Sequence, residues 1–191
     1  AMAFRGDALL FVTLLAVARF CTALAALDTG SAFEGMGAAR EVSYAVLSEA
    51  AIVTALLTLG LQSGSVSLAT MLVPSAGAGA ALLAGGLFAV LLAENCRVPF
   101  DDPNTHLELT MIHEVMVLDH SGPPLAAILH GASLKLLLFT ILLIEAVLPI
   151  GEWSPLLAAG ALAVAVVVVA GAVGLVESLM ARLAFRRVPL L

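Results

Sequence analysis

From Ala50 to Ala93 the chain runs 44 residues without one Asp, Glu, Lys or Arg, and from Trp153 to Val176 it runs another 24. A transmembrane helix needs about 20 apolar residues to cross a hydrocarbon core of about 30 Å. Both blocks are therefore long enough to span a bilayer. The composition agrees: 62% of residues are hydrophobic and 12% charged, with mean hydropathy +1.12, whereas soluble domains carry about 25% charged residues. Fourteen acids against eight bases give a net charge of −6, which leaves no basic face for nucleic acid. A soluble enzyme domain, a disordered chain and a DNA-binding module are excluded. The expected fold is all-α, a polytopic bundle of transmembrane helices forming a single membrane domain over residues 1–191.

Five spans are expected, over about 7–27, 42–62, 76–94, 125–148 and 156–181. Ser63-Gly64-Ser65 and Pro74 mark a turn between the second and third, and Pro149 and Pro155 bracket the last connection. The pair Gly60 and Gly64 has the small-residue spacing that favours close helix packing. The long connections are 28–41 and 95–124. The N-terminus lacks the layout of a cleavable signal peptide, and the sequence reads as the inner portion of a longer membrane protein.

Orientation follows from the basic residues. Arg40 lies in connection 28–41, Arg97 in connection 95–124, and Arg182, Arg186 and Arg187 in the tail, while the other two connections have no Lys or Arg. The positive-inside rule puts the first set in the cytoplasm of a cell bounded by this inner membrane. Arg5 alone departs from the pattern. The long polar connections then face the side where a soluble partner could dock.

Cys21 and Cys96 are too few for a four-thiolate iron–sulfur cluster or a structural zinc site. They read as two small buried residues, and no cofactor or metal is expected in this chain. Inside the spans, Arg19, Glu49, Lys135 and Glu145 interrupt apolar runs and Glu94 ends one. Insertion scales put Lys, Arg or Asp at a span's centre at about +2.5 to +3.5 kcal/mol, more than an inert anchor has reason to carry. Glu49 falls about 10 Å inside its span and Lys135 about 15 Å into its own, with Glu145 toward the far face. The set reads as protonatable groups spread over the membrane depth, with Glu49 as a candidate partner of Lys135, or as internal pairs that fix packing.

The densest chemistry lies in connection 95–124. Asp102-Pro103 marks a turn, and Asn104 or Thr105 can cap an amphipathic helix running to about Val117, with His106 and His113 on one face. His113-Glu114 begins a metalloprotease-like pattern, but Val117 stands where the second ligand belongs. No nucleophile elbow, phosphate loop or dinucleotide fingerprint is present, so no catalytic residue is assigned.

The run Ala93-Glu94-Asn95-Cys96-Arg97-Val98-Pro99-Phe100-Asp101-Asp102-Pro103 resembles the cytoplasmic loop of the complex I subunit 1 family. Its continuation through Thr105-His106-Leu107-Glu108-Leu109-Thr110, His113-Glu114 and Asp119-His120-Ser121-Gly122 is similar to the hydrogenase branch, the membrane subunits of formate hydrogenlyase, hydrogenase-4 and other membrane-bound nickel–iron hydrogenases. Ser31 to Glu49 resembles the family's first cytoplasmic loop entering the next helix. The resemblance implies a protein of about eight spans, of which this chain would be about the third to the seventh. In the quinone-reducing branch Leu stands at the position of Asp102 and Glu at that of His106, so quinone binding is not carried over.

What the resemblance implies is a non-catalytic coupling subunit of an oxidoreductase complex. Its partners would be a cluster-bearing small hydrogenase subunit and a large nickel–iron subunit on the cytoplasmic side, together with antiporter-like membrane subunits. The iron–sulfur clusters and the nickel–iron centre would lie in those partners. Glu49, Glu94, Asp101, Glu108, Lys135 and Glu145 are the candidates for proton movement. Arg40, Arg97, Asp102, His106, His113, Glu114 and Asp119 are the candidates for docking. A stand-alone ion channel or transporter and a quinone-reactive subunit 1 are the alternatives.

Overall fold

The computed structural model describes residues 4–72, 78–101, 112–150 and 153–180. Among these residues six helices follow in order: α1 (Asp7–Asp28), α2 (Ala32–Ser63), α3 (Leu68–Met71), α4 (Ala78–Glu94), α5 (Gly122–Val147) and α6 (Pro155–Leu179), with a 3-10 turn at Val115–Val117 before α5. No strand occurs among the described residues. Four helices, α1, α2, α5 and α6, are long and apolar enough to cross a membrane, and α4 is a shorter apolar helix. Pro123-Pro124 and Pro155 open α5 and α6, where a missing N–H costs no intrahelical bond.

The longest helix, α2, organises the bundle. It packs on α1, α3, α4 and the 3-10 turn, while α5 packs on α4, and α6 on α5. The core between them is hydrocarbon: Ile52, Leu56 and Leu59 of α2 meet Leu87 and Leu91 of α4 and Phe139 and Leu143 of α5. Phe11 of α1 joins it with its ring centroid 6.4 Å from that of Phe139. The outward faces are as apolar as the core. Leu156 is 87% and Leu61 84% exposed, a surface that water would penalise and that lipid tails solvate. With four long apolar helices among the described residues, the protein is a multi-pass membrane protein.

Several boundaries differ from expectation. The connection 28–41 shrinks to Thr29–Ser31, because α2 begins at Ala32. Ser31 takes the extended backbone of an N-cap, and Ala32, Glu34, Met36, Ala38, Ala39 and Glu41 are good or adequate helix formers. Gly37, within the expected connection, is in the helix for a packing reason: a Cβ there would lie 2.3 Å from Val115 Cγ1 and 3.1 Å from the Ile112 carbonyl oxygen. Gly64 is not a packing glycine. It ends α2 in the left-handed conformation, φ 65°, and a Cβ there would meet open space.

The helix expected to run to Val117 is absent from its described part. Residues 112–114 form a bend and turn before the 3-10 turn. The N–H groups of Ile112 and His113 both donate to Asp101 Oδ2, each at 3.1 Å, so neither is available for a helical bond. The cysteines also differ from the reading as a buried pair. Cys21 is exposed on α1 and Cys96 is half-buried.

Candidate functional site

Arg19 is the centre of a charge cluster inside the bundle. Its position is an unbroken apolar helix, α1, and its side chain is only 8% exposed. One guanidinium nitrogen, Nη1, donates to Glu49 Oε1 of α2, and the other, Nη2, to Glu94 Oε2 at the end of α4. The remaining nitrogen, Nε, is 3.5 Å from Glu41 Oε1 and makes no hydrogen bond. A planar guanidinium with donors on three sides is the group suited to meet carboxylates arriving from different helices.

Glu94 is the deepest member, its side chain 2% exposed. Besides Arg19 it holds Lys135 of α5, whose Nζ is 3.0 Å from Glu94 Oε2, and it accepts the Ser48 hydroxyl at Oε1. Four helices therefore meet in one network of two cations, Arg19 and Lys135, and three carboxylates, Glu41, Glu49 and Glu94. Buried charges persist only when paired and hydrogen-bonded, and Glu94 satisfies that condition with three partners. The Cys96 thiol lies at the edge of the network and donates to Glu41 Oε2 at 3.4 Å. Burial, and next the Glu41 carboxylate, push this thiol well above the usual cysteine range.

The arrangement differs from charges strung across the membrane. Glu49 pairs with Arg19, not with Lys135. Glu145 stands apart, half-buried, with no partner among the described residues. Helix packing accounts for this: α1, α2, α4 and α5 bring Arg19, Glu49, Glu94 and Lys135 together, whereas around Glu145 the residues Leu142, Leu143 and Ala146 belong to the apolar core. Glu41 and Ser48 had no functional assignment in the sequence. Their signal was present in the helical spacing, because Ser48 and Glu49 follow Glu41 by seven and eight residues, about two turns.

A second group of contacts fixes the segment 112–120 on the end of α2. Asp101, 3% exposed, holds Ile112 and His113 by their N–H groups. Val115 and Met116 lie over Gly37, and Met116 packs with Ala26 and Ala38. Glu34, fully buried, accepts the Asp119 N–H at 3.0 Å through Oε1. Three buried atoms here lack a partner among the described residues: Glu34 Oε2, His113 Nε2 and His120 Nδ1. Glu34 was also unassigned in the sequence, where a carboxylate in a connection looks solvated.

Of the docking candidates, Glu114 and Asp119 are exposed and His113 is half-buried. Arg40 is half-buried and engaged on α2. Arg97 reaches Glu177 of α6 at 3.3 Å, with both side chains about one-third exposed. Asp102, His106 and Glu108 lie outside the described residues, as do the basic residues after 180. No group of three or more His, Cys, Asp or Glu among the described residues has the geometry to hold a metal ion.

Comparison with known proteins agrees with this architecture. The family described as NADH dehydrogenase matches residues 1–189. Hydrogenase-4 component C of Escherichia coli K12 is 36% identical over 155 residues, which is 77% of this chain and 47% of that protein. Formate hydrogenlyase subunit 4 of the same organism is 32% identical over 192 aligned positions, 93% of this chain and 61% of that protein. The chain thus spans about half to three-fifths of the length of these curated relatives. With a match over nearly its whole length and two relatives from hydrogenase complexes, the chain belongs to the NADH dehydrogenase (complex I subunit 1) family, in its hydrogenase branch.

Proposed function

We propose that this chain is part of a membrane subunit of a complex I-related hydrogenase or formate hydrogenlyase complex, which anchors a peripheral redox arm and couples its turnover to ion movement. The observation that carries the reading is the Arg19–Glu94–Lys135 network with Glu41 and Glu49. An inert anchor gains nothing from a cluster of five charges, of which Arg19 and Glu94 are buried, since charge within a span is costly to insert. A network with one more carboxylate than cations responds to charge changes beside it, because a nearby negative charge favours the neutral form of a carboxylate.

The route by which such a change arrives is the segment after α4. Glu94 and Asp101 bracket six residues that link the network to the pinned segment 112–120. A subunit docked on connection 95–124 would therefore sit one short stretch of backbone away from Glu94. The partners implied are a cluster-bearing small hydrogenase subunit and a large nickel–iron subunit on the cytoplasmic side, with antiporter-like subunits in the membrane. Arg40, Arg97, Asp102, His106, His113, Glu114 and Asp119 are the docking candidates. The redox metals are assigned to those partners because two cysteines, Cys21 and Cys96, are too few for a four-thiolate cluster.

The test is made on the intact complex in native membrane vesicles, reading hydrogen evolution alongside proton pumping. Glu108→Gln and Lys135→Ala are expected to lower pumping per hydrogen evolved, or to slow both, in complexes that still assemble. Glu→Gln keeps shape and one acceptor while removing titration. Unchanged hydrogen evolution and unchanged pumping in both assembled variants would reject the coupling role. Recovery of the tagged native protein without a cluster-bearing subunit would reject membership in such a complex.

A further inference from the structure

At the end of the bundle opposite Glu94, an apolar groove runs between α1 and α2 and is closed below by Met71 of α3. Its volume is about 400 Å³, within the roughly 300–1,000 Å³ of pockets that hold small ligands. It extends along α2 from Gly64, at the membrane-boundary turn, to Val53. Eleven residues at 1.5 Å each make that about 17 Å, close to half of a hydrocarbon core of about 30 Å. The groove therefore has the depth of one lipid leaflet.

The chemistry of its walls selects hydrocarbon. Leu9 and Val12 of α1 face Val53 and Leu57 of α2 across it. The one hydroxyl in the lining, Ser65, is already engaged by the Ser67 N–H at 3.2 Å and the Thr70 hydroxyl at 2.6 Å. Asp7, beside the mouth, is satisfied by the Leu68 N–H at 2.6 Å and the Ser67 hydroxyl at 3.0 Å. Ordered water needs two to four polar partners, and this groove offers none to spare.

Arg5, exposed in the turn that leads into α1, stands three residues before the groove residue Ala8 and has no ion-pair partner among the described residues. It is the residue that departs from the positive-inside pattern. A guanidinium recognises phosphate oxygens through a planar fork of donors, so a phosphate at the membrane surface complements it. We infer that the groove between α1 and α2 is a binding site for a membrane glycerophospholipid, with one acyl chain along Val12 and Leu57 and the headgroup phosphate on Arg5.

The inference is independent of the coupling role and is tested on the intact complex reconstituted in bilayers. The probe is a phosphatidylglycerol carrying a photoreactive diazirine on one acyl chain, with adducts mapped by mass spectrometry. Val164 and Val167 of α6, 65% and 70% exposed, report ordinary surrounding lipid. Labelling at Leu9, Val12 and Leu57 is expected to exceed labelling at these two positions several-fold. Leu57→Trp, which fills the groove, should remove the excess at Leu9 and Val12. Arg5→Glu should lower the excess for this probe and leave unchanged the labelling by a diacylglycerol bearing the same chain. Equal labelling of the groove and of α6 would overturn the site. Cross-links in the groove to a neighbouring helix, with no lipid adduct, would assign it to protein and overturn it equally. An Arg5→Glu variant that keeps the full excess would overturn the headgroup assignment.

Discussion

Lys135 Nζ on α5 lies 3.0 Å from Glu94 Oε2 at the end of α4, and the same carboxylate oxygen receives Arg19 Nη2 from α1. One oxygen thus joins three helices whose residues are far apart in the chain. Removing either cation leaves Glu94 with the other and with Ser48, but the two losses are unequal. Arg19 also neutralises Glu49 and faces Glu41, whereas Lys135 pairs with Glu94 alone among the described carboxylates.

The expected order of stability follows from that asymmetry. Breaking a buried pair by removing one partner costs about 3–5 kcal/mol, and Arg19→Met should reach or exceed this range because three carboxylates lose a cation. Lys135→Met should cost less, since that side chain is 26% exposed and Glu94 keeps Arg19. Thermal unfolding of detergent-solubilised complex, followed by size-exclusion chromatography, measures both. A Lys135→Met variant less stable than Arg19→Met would show that Arg19 is not the centre of the network.

Gly37→Ala should destabilise by about 1–3 kcal/mol, the usual cost of overpacking, because its Cβ would enter Val115 Cγ1 at 2.3 Å. Gly85→Ala in α4 is the control. A Cβ there meets nothing within 4 Å, so the substitution should be neutral or stabilise by about 0.5–1 kcal/mol, the ordinary helix preference for Ala. Hydrogen exchange at Ile112, His113 and Asp119 should rise in Gly37→Ala and stay unchanged in Gly85→Ala. Equal behaviour of the two variants would remove the argument that segment 112–120 rests on Gly37.

Cys96 should alkylate slowly at neutral pH, because the thiolate is the nucleophile and burial together with Glu41 pushes the thiol up. The sign of the second effect can be isolated. Replacing Glu41 by Gln removes a negative charge that opposes the thiolate, so the thiol should ionise at lower pH. In a Cys21→Ser background, the pH–rate profile for iodoacetamide should shift to lower pH in Glu41→Gln. A shift to higher pH, or none, would separate Cys96 from Glu41.

The orientation proposed from the basic residues has its own consequence. Cysteines introduced at Ser31 and Asn104 should react only with reagent that has reached the cytoplasm, and one at Gly151 should react from outside. Labelling at Asn104 by an impermeant reagent applied to intact cells would invert the arrangement, and with it the side on which a peripheral arm can dock.

The spans were readable in the sequence because a membrane imposes a local rule. A run such as Trp153 to Val176 must be helical and long wherever its neighbours lie, and α6 follows it within a few residues. The start of α2 was not readable. Gly35, Gly37, Arg40 and Glu41 look like a polar connection until Val115 and Met116 are known to cover Gly37 and Arg19 to face Glu41. The turn at 112–114 was hidden for the same reason, since its N–H groups go to Asp101 rather than to the chain's own carbonyls.

By itself, then, the sequence determined that this protein lies in a membrane, which stretches form its long apolar helices, and which residues carry charge into them. Each of those depends on the composition of a short stretch measured against the thickness of a bilayer. Only the tertiary structure decided which charges meet. Arg19, Glu41, Glu49, Glu94 and Lys135 come from four helices, and their convergence depends on the rotation and tilt of each helix. Those are set by how Ile52, Leu91 and Phe139 interlock in the core. Glu145, equally conspicuous in the sequence, is left outside because its turn of α5 faces none of the cations.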